Sequence, residues 1–288
     1  MRRIIPLSVL LAVGAVNACS TPDALKPTQA IPTAGIRFIN AVPDTGAAYG
    51  LDFRFVDIVE SNAQFRVPFR NAMSATAPFV PTLTEYKPTM EGARHFRVFL
   101  DDTLQAVAST VIKDSTISAT ATHNYTVMLW GNARSTGADK MKLTVWDETV
   151  ADPGAQVALR VVNTTDSPID VRVYAQGGTA PVAATWAAVP AYSASSYSDF
   201  PKGSYMYNVQ PAGGGTSLFA DALAIPGTPG TVDIESIPGT NVAGTAVSAF
   251  VFPRSVVGSK APQSAAFAVP AIGFNWDRRP PRTCSPLC

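Results

Sequence analysis

Residues Val157 to Gln176 read VALRVVNTTDSPIDVRVYAQ, two short alternating runs around a polar break from Asn163 to Pro168. In the second run Ile169, Val171 and Val173 alternate with Asp170 and Arg172. A period of two marks a half-buried strand, because successive side chains point to opposite faces. An earlier copy begins at Ile36, where IRFIN leads through a longer break into LDFRFV, Leu51 to Val56. Asn40 stands 123 residues before Asn163, and Asp52-x-Arg54 anticipates Asp170-x-Arg172. One β-rich module is used twice.

The same pattern extends outward. Pro43-Asp44-Thr45-Gly46 supplies turn chemistry. Glu60 to Gly92 is proline-rich and irregular, with room for short strands. Arg94 to Leu100 is strand-like, and Asp101-Asp102 predicts a hairpin turn into a strand from Leu104 to Ile112. His123 to Trp130 and Met141 to Trp146 form a further pair around an exposed loop. After Asp152-Pro153-Gly154 the order repeats: Ser204–Val209, Leu218–Ile225 and Thr245–Phe252 answer the later strands of the first copy, with Gly213-Gly214-Gly215 as a turn. A recurrence of about 120 residues is a duplicated domain, not a solenoid. The expected fold is all-β: two tandem immunoglobulin-like β-sandwich domains, at 34–152 and 153–255. The tail, 256–288, is expected to pack on the second domain through a strand within Ala265–Trp276.

The 288 residues suffice for two cores, and only 15% are charged. Of 22 Lys and Arg, Arg2 and Arg3 lie in the leader, so no basic excess over the 21 acids remains for nucleic acid. The leader has a charged start, an apolar run from Ile4 to Val16, and Ala18 before Cys19. Residues 1–18 therefore read as a signal peptide, too short in its apolar part to span a bilayer dependably. Val16-Asn17-Ala18-Cys19 is similar to the bacterial lipobox, in which the cysteine is lipidated; cleavage by ordinary signal peptidase, giving a soluble secreted protein, is the alternative. Residues 19–33 then form a tether. Export permits a disulfide between Cys284 and Cys288, although so small a loop gains less than the roughly 3 kcal/mol of a 15-residue one.

The stretches IRFINAVPDTG…LDFRFV and LRVVNTTDSPIDVRVY, with Gly203-Ser204-Tyr205 and Tyr125-Thr126-Val127, resemble an uncharacterised bacterial family, domain of unknown function 4397. Its pattern is a strand ending in Asn or His, a polar Asp/Pro break and an aspartate-led strand. The first copy departs by an insertion, with twelve residues from Asn40 to Asp52 against seven from Asn163 to Asp170. The resemblance implies exported, often lipidated envelope proteins with immunoglobulin-like sandwiches, and carries no catalytic residue.

Chemistry is sparse. His95 and His123 head separate strands without metal-binding spacing. There is no G-x-S-x-G elbow, and Gly213 to Thr216 lacks the ending of a phosphate loop. Asp44, Asp101, Asp102, Asp152 and Asp166 are scattered loop acids rather than a calcium loop. Trp186, Tyr192 and Tyr197 read as edge packing, with an adaptable binding surface as the alternative. Asp52/Arg54 and Asp170/Arg172 are expected on solvated faces, where an ion pair contributes about 0–1 kcal/mol; they are the one weak candidate surface patch. The expected function is a non-enzymatic cell-envelope lipoprotein, a surface or periplasmic binding module anchored through Cys19, with an envelope protein or glycan as partner and no cofactor. An envelope spacer and a secreted hydrolase are the alternatives.

Overall fold

The computed structural model describes residues 31–44, 50–57, 66–80 and 85–282. The chain divides into Met1–Pro32 and Thr33–Cys288; the signal peptide, Cys19, most of the tether, Cys284 and Cys288 lie outside the described residues. In the second unit two β-sandwiches follow one another.

The first sandwich begins with Thr33–Ala41 (β1), Leu51–Phe55 (β2), Arg66–Val67 (β3) and Lys87–Met90 (β4). Gly92–Leu100 (β5), Val111–Ala119 (β6), Asn124–Trp130 (β7) and Lys142–Asp147 (β8) complete it. Two four-stranded sheets result, ordered β3-β2-β5-β6 and β4-β1-β7-β8. The second sandwich comprises Gln156–Asn163 (β9), Ile169–Ala175 (β10), Trp186–Val189 (β11), Ser193–Ala194 (β12) and Ser198–Pro201 (β13). Tyr205–Pro211 (β14), Ala222–Leu223 (β15), Ala246–Phe252 (β16) and Ala271–Arg278 (β17) finish it. Its sheets are ordered β11-β10-β14-β15 and β12-β9-β16-β17, with β13 also on β9.

The strand order of the first sandwich thus recurs. In each, the opening strand runs parallel to a late one: β1 to β7 and β9 to β16. Parallel neighbours need a long crossover, so pairing by adjacency in sequence does not reveal them. Three other expectations shift. The connection after Leu100 contains a helical turn, Gln105–Ala108, and β6 starts only at Val111. Gln105-Ala-Val-Ala holds good helix formers and lacks the polar alternation of a strand. Leu218–Ile225 shrinks to the two residues of β15. The tail supplies β17, antiparallel to β16, as part of the second sandwich's own sheet.

Alternation sorts the side chains into three cores. Ile36, Leu51, Phe53, Phe96, Val98, Val127 and Leu129 fill the first sandwich. Leu159, Val161, Val171, Val209, Val247, Ala249 and Phe274 fill the second. The remaining faces of β1, β7, β9 and β16 pack on one another through Ile39, Met128, Trp130, Val162, Phe250 and Phe252. All seven residues of β16 are therefore buried, as expected of a strand covered on both faces. The body is a four-layer β stack whose two middle sheets share a seam. At the seam Gly273 faces Met73, whose Sδ would lie 2.5 Å from an added Cβ.

The two family asparagines explain the polar breaks. Asn163 is fully buried; its Nδ2 donates to the carbonyls of Ser167, Val189 and Pro190 at 2.8–3.0 Å, and its Oδ1 accepts from the Thr165 amide at 3.0 Å. Asn40 does the same work, donating to Val67 O at 2.8 Å and accepting from the Val42 amide at 3.1 Å. Each ties a strand end to its turn. Asn163→Ala leaves the buried Val189 carbonyl and the less buried Ser167 and Pro190 carbonyls without that donor and is expected to cost about 2 kcal/mol, read as a shift of the urea midpoint at unchanged slope.

Candidate functional site

The expected surface patch does not form. Asp52 is 6% exposed and Asp170 9%, so both aspartates are buried rather than solvated. Arg54 Nε donates to Asp52 at 2.7 Å along the strand. Asp170 instead accepts from the backbone amides of Ala188 (2.7 Å) in β11 and Gly213 (3.1 Å) in the turn after β14, while Arg172 donates to Val182 O and Gln210. Alternation correctly puts these residues on the face opposite the core, but their local partners take the aspartates out of solvent. The pairs also belong to different outer sheets, β2 in one sandwich and β10 in the other.

The other singled-out residues are engaged locally. His95 contacts Asp114 at 2.7 Å and His123 contacts Asp147 at 2.6 Å. Asp44 accepts from the Ala133 and Arg134 amides, Asp152 from Gly154, and Asp102 from Leu104. Among the described residues no group of three or more His, Cys, Asp or Glu is placed to hold a metal ion. No helix there is long and apolar enough to cross a membrane. Gly213, Gly214 and Gly215 all take positive φ, as a tight turn requires. Trp186 joins the second core, and Tyr192 meets Trp130 edge-on at 5.8 Å.

Sequence reasoning missed the polar cluster inside the seam. Arg37 is 1% exposed; it donates to Thr126 Oγ1 (2.8 Å), to Trp276 O (2.9 Å) and to Asp277. Arg160 donates to Ser248 Oγ (2.6 Å) and to Glu148 (2.5 Å). Each guanidinium also lies 4.6 Å over a tyrosine ring, Tyr86 for Arg37 and Tyr197 for Arg160. The strand registers make these sets equivalent. Arg37 pairs across with Thr126 and Arg160 with Ser248, while Thr126 faces Trp146 and Ser248 faces Asn275. Glu148 and Asp277, two residues beyond, therefore correspond. Each sandwich's arginine takes the other's carboxylate, the reciprocity of an isologous contact.

Burial lowers the Arg37 pKa, but Tyr86, Asp277 and Glu148 outweigh it and hold the group above its ordinary value. Burial, then Asp277 and Glu148, push the Tyr197 hydroxyl up, so it stays a donor, to Asp277 at 2.8 Å. The signal in the sequence was the 123-residue spacing of Arg37 and Arg160, identical to that of the asparagines.

At the other end of the seam the same strands leave a cleft of about 460 Å³. Pro43, Gly131 and Asn132, just after β1 and β7, form one side; Thr164, Pro253 and Arg254, just after β9 and β16, lie across the seam. Tyr192, Ile169, Leu218, Pro168, Pro211 and Pro270 add an apolar wall. A smaller cleft of about 280 Å³ is lined by Glu148, Arg160, Tyr197, Asp147, Asp152 and Asp199, among others, and opens onto the polar cluster.

Residues 34–174 match the family model described as Domain of unknown function (DUF4397). The DUF4397 match runs through the first sandwich and into the first two strands of the second, β9 and β10, and so holds both asparagines and both arginines, with Glu148. Asp277, Ser248 and Tyr197 lie beyond the DUF4397 segment. No curated protein matches the chain. Among solved structures, the Bacillus anthracis TIE protein is similar at 9% identity with a TM-score of 0.23. That match covers 78% of this chain and 34% of the other, so the chain spans about a third of its length.

Proposed function

We propose that the chain is a non-enzymatic, exported module of the bacterial cell envelope, lipid-anchored through Cys19, and that the seam cleft is its ligand site. The cleft carries the reading. It is built by both sandwiches where the central strands end, and five of its wall residues are prolines, whose fixed φ keeps the surface pre-formed. Among the described residues its lining has neither His nor Cys, and its one serine, Ser167, donates to Asp166; this supports capture rather than catalysis. Palmitate labelling that disappears on Cys19→Ala is the expected result for the anchor; unchanged or absent labelling would sink it. For the ligand site, crosslinking on intact cells is expected to recover a specific partner that Leu218→Asp no longer captures. Equal recovery by both proteins would remove the cleft from the reading.

A spacer is the second reading, favoured by the buried reciprocal ion pairs, which make one rigid body of two sandwiches. A spacer tolerates Leu218→Asp without loss of capture, and the same crosslinking comparison separates the two.

The periphery adds a pH dependence. Hydrogen bonding from Arg94 holds the Asp57 carboxyl below the usual range, against partial burial. A depressed folded pKa gives stability that is present above the unfolded value near 4 and lost as pH falls through the folded one. The melting temperatures of the native protein and Asp57→Asn should therefore differ at pH 6 and converge in strong acid.

A further inference from the structure

The seam cleft also indicates the chemistry of its ligand, an inference that rests on reading it as the binding site. Two opposite charges line it without meeting. Arg254 is exposed and makes no hydrogen bond or ion pair among the described residues. Asp166, also exposed, accepts among the described residues only from its neighbour Ser167, and no ion pair there joins it to Arg254. The two other acids near this wall are engaged at both oxygens: Asp44 by the amides of Ala133 and Arg134, Asp139 by Asn132 and Ser135. Asp166 is the least engaged of the three.

Tyr192 registers the negative side. Burial, followed by Asp166, Asp139 and Asp44, pushes its hydroxyl up to about 12, so it remains a donor. Its backbone sits at φ 54, left-handed for a non-glycine residue, a strain that persists only where the surroundings hold it. Lys142 lies 5.2 Å over its ring, which is thereby fixed as a wall. Beside the charges the lining is apolar: Ile169, Leu218, Val256 and prolines. A wholly apolar ligand would leave both charges unanswered, and an anion alone would face Asp166.

We propose that the cleft binds a small dipolar ligand with an apolar body, of the class of apolar amino acids and dipeptides. The carboxylate pairs with the Arg254 guanidinium, in the bidentate geometry such pairs favour. The ammonium sits at Asp166, and the side chains lie against Leu218, Ile169 and the proline wall. The volume of about 460 Å³ lies in the small-molecule range.

Titration calorimetry of the detergent-solubilised full chain with leucyl-leucine, its N-acetyl form and its C-terminal amide tests this. Leucyl-leucine is expected to saturate one site, and blocking either end to weaken binding at least tenfold. In Arg254→Gln the amide should lose its disadvantage, and in Asp166→Asn the acetyl form should lose its own, with circular dichroism unchanged in both. Absence of saturable binding, indifference to both blocks, or sensitivity to one block alone would overturn the proposal. Should leucyl-leucine fail while Leu218→Asp still abolishes capture on cells, the dipolar ligand falls and the binding-module reading stands.

Discussion

Arg37→Ala is expected to destabilise the protein by about 3–5 kcal/mol, the cost of breaking a buried ion pair from one side. The side chains of Arg37 and Asp277 are both 0% exposed, so solvent does not screen them. Removing the guanidinium leaves Asp277 Oδ1 buried without its partner, and frees Thr126 Oγ1 and the Trp276 carbonyl, which Arg37 also satisfied. Ser248 and Tyr197 still donate to Oδ2, which keeps the loss from running higher. Urea unfolding of Arg37→Ala, Asp277→Asn and the double variant should give a double loss well below the sum of the singles, because the second change removes a charge the first had stranded. Additive losses would mean that the cross-seam pair is not what joins the sandwiches.

Alternation made the sandwiches legible, because it is a local property. Leu51, Phe53 and Phe55 against Asp52 and Arg54 name the core face of β2 without any partner strand. The seam was not legible. Arg37 and Arg160 occupy the face that alternation assigns to water, and both are buried because a second sheet covers that face. One amphipathic strand reads the same whether its polar face meets solvent or another sheet's polar face. β16 is the exception: AVSAFVF is apolar on both faces and announces a strand covered on both sides. For the cleft, the breaks gave the position and not the use. Thr164 to Pro168 was recognisable as a turn, but that Arg254, some ninety residues later, lines the same cleft depends on the parallel β9–β16 register.

The second large effect is expected at Arg70, where Arg70→Met should cost about 3 kcal/mol and loosen the segment from Pro253 to Val269. Arg70 is fully buried, and among the described residues no carboxylate pairs with it. It donates to the carbonyls of Pro253 (2.5 Å), Val269 (2.5 Å) and Ala266 (3.3 Å) and lies over the rings of Phe69 and Phe267. Burial alone pulls its pKa down to about 10, still well above neutrality, so the charge remains. Two terms oppose each other on substitution. Methionine escapes the desolvation of the guanidinium, while each carbonyl left unsatisfied costs about 1–3 kcal/mol. With four carbonyls involved, Phe267 O at 3.4 Å being the fourth, the loss outweighs the relief. The backbone points the same way: Arg70, Asn71 and Ala72 all have positive φ, at 58, 51 and 63 degrees. A run of left-handed non-glycine residues costs roughly 1–2 kcal/mol each and must be held from outside. Asn71 contributes by accepting from the Asn40 amide and donating to Phe38 O, which ties the turn to β1. Arg70 ties it to the opposite sandwich, in the segment that also brings Pro253 and Arg254 to the cleft. Hydrogen exchange of Arg70→Met should therefore show lost protection at Ser255 and Phe267, whose amides bond to Phe267 O and Ser264 O, with β1 and β7 still protected. Uniform loss across both sandwiches would instead make Arg70 a general core residue rather than the pin of this segment.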